Sequence, residues 1–207
     1  MTASESSFVH RFEAGSPSGP KTTLLLLHGT GANEDDLIPL GRELLPGAAL
    51  LSPRGRVLEH GMPRFFRRLA EGVFDLEDLK LQTDDLARFV TSASQKYGLA
   101  ENKLIAVGYS NGANIAASVL LTHPQLLSSA VLFRPMVPFR PQSSPDLKDI
   151  SVLLAAAKRD QIVPPEQTAE LSEILTAAGA RVSIHWHPGG HELGADDVAA
   201  AKKWLSA

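Results

Sequence analysis

The chain has 207 residues, enough to bury one sizeable core and too few for two comfortable domains. Hydrophobic residues make up 43% and charged residues 21%, the balance of an ordinary globular protein, and a net charge of −3 supplies no basic surface for nucleic acid. With no cysteine in the sequence, disulfides, thiolate metal sites and a cysteine nucleophile are excluded together. No apolar run is long enough to span a bilayer. The opening "MTASESSFVHRFEAGSPSGP" lacks the basic-then-apolar order of a secretory signal, so a cytoplasmic location is expected.

In chain order, residues 6–15 alternate and predict an edge strand, with "GSPSGP" as the turn after it, so that 1–20 form an edge strand and turn. Short, nearly continuous apolar runs follow at 22–29, 48–55, 103–110, 129–135, 151–160 and 181–190. Runs of that kind are strands covered on both faces, as in a parallel sheet. Between them, helical spacing predicts helices over 83–98 (Leu86, Phe89, Val90), 164–180 (Leu171, Ile174, Leu175) and 194–207 (Val198, Lys202, Leu205). Strand and helix in alternation predict a single α/β domain over 1–207, with a mainly parallel sheet flanked by helices on both faces. The 57–79 stretch breaks this rhythm with three phenylalanines and with Arg64, Arg67, Arg68 and Glu71. Two readings of it stand: a functional excursion, or a surface helix packing its phenylalanines on the core.

Chemistry in such sheets collects at the carboxyl ends of strands. Residues 108–112, "GYSNG", follow one apolar strand and precede a helix, the context in which G-x-S-x-G presents a serine for nucleophilic attack. Read plainly, Ser110 is only a helix cap. Asp160 closes the 151–160 run and His191 follows the 181–190 run, giving the order serine, acid, histidine. Ser110 then attacks an acyl carbon, His191 takes and returns its proton, and Asp160 fixes the imidazole tautomer. Each also has a structural alternative, Asp160 as a cap and His191 as a loop residue. Backbone N–H groups of Thr30, in "HGTGAN", and of Asn111 are the expected oxyanion donors. His28 is read as shaping that turn. His185 and His187 share a strand face, but no clear third metal ligand follows, so structural roles are expected and no metal.

With "LLLLHGTGAN", "GYSNGAN", "RDQIVP" and "GGHEL" in this order, the chain resembles the carboxylesterase/phospholipase family of α/β-hydrolases, which includes acyl-protein thioesterases. The likeness runs from about Lys21 to Leu205 and is nearest to a small bacterial subgroup without a cap domain. The resemblance implies cleavage of carboxylic esters or thioesters with no cofactor, and carries the catalytic roles to Ser110, Asp160 and His191 and the oxyanion donors to Thr30 and Asn111. Acyl-protein thioesterases tend to have glutamine where this chain has Asn111 and leucine where it has Thr30. Backbone donors survive those changes; a preference for long protein-bound acyl chains does not carry over.

Without a segment long enough for a cap, the cleft is expected to be open, walled by the 57–79 and 133–139 stretches. Phe65, Phe66 and Met136 are the expected apolar contacts to an acyl or aryl group. Arg64 or Arg134 is the candidate receiver of a substrate carboxylate, against the alternative of a solvated face for both. The expected partner is a small-molecule ester, with a homodimer left open. Thioester or lysophospholipid cleavage, perhydrolysis, and a ligand-binding protein on the same scaffold are the alternatives to an esterase.

Overall fold

The computed structural model describes residues 8–99 and 103–207. In chain order the elements are β1 (His10–Glu13), β2 (Thr22–Leu27), α1 (Ile38–Leu44), β3 (Ala49–Pro53), β4 (Val57–Glu59), β5 (Met62–Arg64), β6 (Arg68–Ala70), β7 (Val73–Phe74), α2 (Leu76–Lys96), β8 (Lys103–Tyr109), α3 (Asn111–Thr122), β9 (Ser129–Phe133), β10 (Ser151–Ala157), α4 (Pro165–Ala177), β11 (Arg181–His187) and α5 (Ala195–Leu205). Seven strands form one sheet in the order β1-β3-β2-β8-β9-β10-β11. Every pairing is parallel except that of β1 with β3. β1 is thus the edge strand expected from 6–15, of which Ser6 and Ser7 lie outside the described residues.

The apolar runs lack alternation because both faces of the sheet are covered. Successive side chains point to opposite faces. Leu25, Leu27, Ala106, Leu132 and Leu154 join α2, α3 and α4 in one core, while Leu24, Leu26, Val107, Val131 and Leu153 join α1 and α5 in the other. Helix α3 is buried all round, as its apolar sequence requires. Among the described residues no helix is long and apolar enough to cross a membrane.

Three local features depart from the sequence reading. The 57–79 stretch holds two β-hairpins, β4–β5 and β6–β7, and no surface helix before α2. Helix α2 starts at Leu76, ahead of Thr83, because Asp75 caps it by accepting from the Asp78 N–H at 3.1 Å. Thr83 instead lies buried within the helix, its hydroxyl donating to the Leu79 carbonyl at 2.7 Å. Helix α1 went unforeseen, being seven residues long with a proline and a glycine inside it, too short to show a period.

The chain runs from β2 to β3 on one side and later returns to β8 on the other side of β2. Such a reversal opens a crevice at the carboxyl ends of the two strands. The loop after β2 begins at His28 and the turn after β8 is Ser110, so both face that crevice.

Candidate active site

Ser110 occupies the step between β8 and α3 with φ 53° and ψ −115°, a backbone region that L-residues seldom adopt. Its N–H donates to the Phe133 carbonyl at 2.9 Å and its carbonyl accepts from Asn114 at 3.0 Å, so the turn is tied to β9 and α3. The flanking glycines are required by space. A Cβ on Gly112 would overlap the Leu27 carbonyl, and one on Gly108 would sit 2.6 Å from the Gly112 oxygen.

Asp160 and His191 meet because the pairing of β10 with β11 continues beyond the strands. Lys158 N–H donates to the His187 carbonyl at 2.9 Å, and Arg159 donates to the carbonyls of Gly189 and Pro188 at 3.0 and 2.8 Å. Directly after this ladder, His191 Nδ1 lies 2.8 Å from Asp160 Oδ2, and His191 Nε2 lies 2.9 Å from Ser110 Oγ. Asp160 also accepts from the N–H groups of Ile162 and Val163 at 2.8 and 3.0 Å, which orients its nearly covered carboxylate. With the proton on Nδ1 toward Asp160, Nε2 is free to accept the serine proton.

Beside the serine, Asn111 opens α3, where a backbone N–H has no intrahelical acceptor. Its side chain accepts from the Phe65 N–H at 2.7 Å. In the loop after β2, Gly31 N–H donates to Pro63 at 2.9 Å and Ala32 N–H to Gly29 at 3.3 Å; the Thr30 N–H takes no part in these bonds. His28 does shape this turn. Its Nδ1–H donates to the Gly29 carbonyl at 2.7 Å, its Nε2 accepts from the Gly55 N–H at 2.9 Å, and burial pushes its pKa down.

A narrow cavity of about 40 Å³ reaches Ser110, lined by Thr30, Arg64, Asn111, Met136 and Val163 among others. A wider groove of about 650 Å³, lined by Asp84, Arg88, His123 and Leu126, holds none of these groups. Of the residues expected to contact substrate, Arg64 and Met136 line this cavity. The Arg64 guanidinium donates to Thr30 Oγ1 at 3.0 Å and to Glu59 at 3.3 Å, and burial lowers its pKa. Glu59 also accepts from Arg68 at 2.9 Å, and that bond first, then its two arginine neighbours, holds its carboxyl below the usual range.

Three expected contacts are corrected. Phe65 and Phe66 are buried in the core, against His28 and Phe74 with ring centroids 4.8 and 5.0 Å apart, so they support the cavity wall from behind. Arg134 is fully buried and bidentate to Asp197 at 2.6 and 2.9 Å, which removes it from any substrate carboxylate. No motif marks Asp197 in the sequence, but it shares one helix stripe with the buried Ala201, and a lone acid on such a stripe calls for a buried cation. His187 Nδ1 is 2.7 Å from Asp196, and His185 Nε2 is 3.3 Å from it, so α5 supplies the acids that the strand lacked; Asp197 is already engaged by Arg134.

The model of the dienelactone hydrolase family matches residues 61–204. MhqD of Bacillus subtilis (strain 168), named as a hydrolase, is 46% identical over 195 residues, 94% of this chain and 96% of that protein. The crystal structure of a Bacillus cereus carboxylesterase is 47% identical, with a TM-score of 0.92 over 96% of this chain and 93% of its own. A structure of YahD with malic acid is 35% identical, with a TM-score of 0.90 over 97% and 98%. The chain belongs to the dienelactone hydrolase family, has the α/β-hydrolase fold, and is an ester hydrolase of the carboxylesterase type.

Proposed function

We propose that the protein is a serine hydrolase cleaving carboxylic esters of small to medium acyl or aryl groups through an acyl-enzyme. The unbroken line of hydrogen bonds from Ser110 through His191 to Asp160 carries this reading. In the proposed sequence Ser110 Oγ attacks the ester carbon while its proton passes to His191 Nε2. Asp160 stabilises the imidazolium without taking its proton. The Thr30 and Asn111 N–H groups receive the negative oxygen, a contribution worth about 10²–10³ in rate for a single donor. His191 then protonates the departing alkoxide; a water next gives a proton to the same imidazole as it attacks the acyl carbon, and that proton passes to Ser110 Oγ as the acyl–serine bond breaks and the acid leaves. The narrow cavity beside Ser110 supports the short end of the acyl range.

A turnover series on p-nitrophenyl esters, with fluorophosphonate labelling, tests this. Acetate and propionate should be cleaved faster than octanoate. Ser110→Ala should abolish labelling and lower turnover by about 10⁶. Unchanged turnover in the variant would overturn the reading.

A buried guanidinium beside the cavity also favours substrates bearing a carboxylate, received by Arg64. The malic acid held by the related YahD agrees with such an acid. Arg64→Ala should then lower kcat/KM for anionic esters much more than for neutral ones, and equal losses would remove this preference.

A further inference from the structure

We propose that Arg134, backed by Asp197 and assisted by Tyr109, is the residue that positions the imidazole of His191; this rests on the serine-hydrolase reading above. His191 sits in the irregular loop between β11 and α5, past the last ladder bond at Gly189, where no ladder holds residues 190–192. Arg134 supplies that restraint. Its Nε donates to the Gly190 carbonyl at 3.3 Å and its Nη2 to the Glu192 carbonyl at 2.8 Å, the carbonyls of the residues on either side of the histidine. The carbonyl of His191 itself accepts from the Tyr109 hydroxyl at 3.2 Å, with the two rings 5.5 Å apart. Three consecutive carbonyls are therefore held by side-chain donors.

Arg134 is also tied to the other two segments, one through its guanidinium and one through the backbone beside it. Nη1 donates to the Ala155 carbonyl of β10 at 3.0 Å, upstream of Asp160. The preceding residue, Phe133, accepts the Ser110 N–H. Arg134 thus stands between the three chain segments that bear Ser110, Asp160 and His191. Asp197 fixes the guanidinium through Oδ1 and Oδ2 and also accepts the Gly194 N–H at 2.9 Å, anchoring the far end of the same loop. All five N–H groups of the guanidinium are thereby matched by acceptors. Arg134 keeps a φ of 55°, a strained conformation that persists where its surroundings over-determine it. A lysine has the charge but lacks the planar fork needed to span both carbonyls and the carboxylate.

Three variants test the assignment. Arg134→Lys retains a partner for Asp197. Arg134→Met with Asp197→Leu removes both charges, so no unpaired ion is left buried. Tyr109→Phe deletes a single bond to the loop. Each is assayed on p-nitrophenyl acetate, with folding followed by circular dichroism and the His191 Nδ1 proton by low-field NMR. A displacement of about 1 Å in a catalytic group can cost about 10²-fold, so kcat should fall by roughly that factor in the first two variants, with KM little changed. In Tyr109→Phe the loss should be smaller. The low-field proton should broaden or vanish in step with kcat, a readout that a purely structural role would leave alone. Folded variants with wild-type kcat and an unaltered resonance would overturn the assignment, and Tyr109→Phe alone serves if the charge variants do not fold. If wild-type turnover proved independent of Ser110 while the resonance still responded to Arg134→Lys, the serine-hydrolase reading would fall and the positioning role would stand.

Discussion

At Ser110 the backbone holds a conformation, φ 53° and ψ −115°, that glycine adopts readily and other residues do not. Strain of this kind costs on the order of 1–3 kcal/mol and persists where a fold has use for the exposed side chain. Ser110→Ala keeps the strain and Ser110→Gly relieves it. Urea unfolding should therefore find the glycine variant more stable than the alanine variant, by about 1 kcal/mol. Neither should turn over ester. The acid offers a second test at this scale. Asp160→Asn preserves the bonds from Ile162 and Val163 but presents His191 with an amide in place of a carboxylate. A drop of about 10⁴ in kcat with unchanged folding is expected, by analogy with the same exchange in a serine protease.

Among elements, the two hairpins between β3 and α2 form one wall of the cavity, and three of their bonds reach its other walls. Phe65 N–H bonds to Asn111, Arg64 to Thr30, and the Pro63 carbonyl receives Gly31 N–H. Each contact joins the excursion to one of the two loops proposed to stabilise the oxyanion. Phe65 is their anchor, a ring almost wholly covered beneath the site. Phe65→Ala should cost about 3–5 kcal/mol by leaving a cavity there. Leu69 of the same excursion is 70% exposed, and its change to alanine should stay within about 0.5 kcal/mol. Chemical denaturation of both variants checks the contrast. No helical or strand period marks this stretch in the sequence, because its hairpin strands are only two or three residues long. Its phenylalanines are legible as apolar, but nothing local says whether they face a ligand or the core.

For the molecule as a whole, His28 links stability to pH. It is fully buried, and desolvation is the main reason its pKa lies below the ordinary value. An unfolded chain takes up a proton on this histidine near pH 6.5, whereas the folded chain does so only at lower pH. Stability rises with pH wherever the unfolded state binds more protons, so it should fall as pH drops below about 6.5. Urea midpoints at pH 7.5 and 5.5 should show this loss, and His28→Gln should lessen the slope. A further loss is expected below about pH 4.5. There Glu13, Glu34 and Glu59 protonate, and all three are held below the usual range chiefly by hydrogen bonds from arginines.

The linear sequence determined the strands, the sheet class and the order of Ser110, Asp160 and His191, because apolar runs and a glycine-flanked serine are local signals. In the fold His191 lies within hydrogen-bond distance of both Ser110 and Asp160. Tertiary structure alone decided the use of the arginines. Arg64 and Arg134 look equivalent in sequence, each near a strand end beside phenylalanine or proline. Folding leaves one lining the cavity and surrounds the other with an aspartate from α5, a residue 63 positions away, and with the carbonyls of the His191 loop. A charge is defined by the partners that compensate it when water is removed, and those partners come from distant parts of the chain.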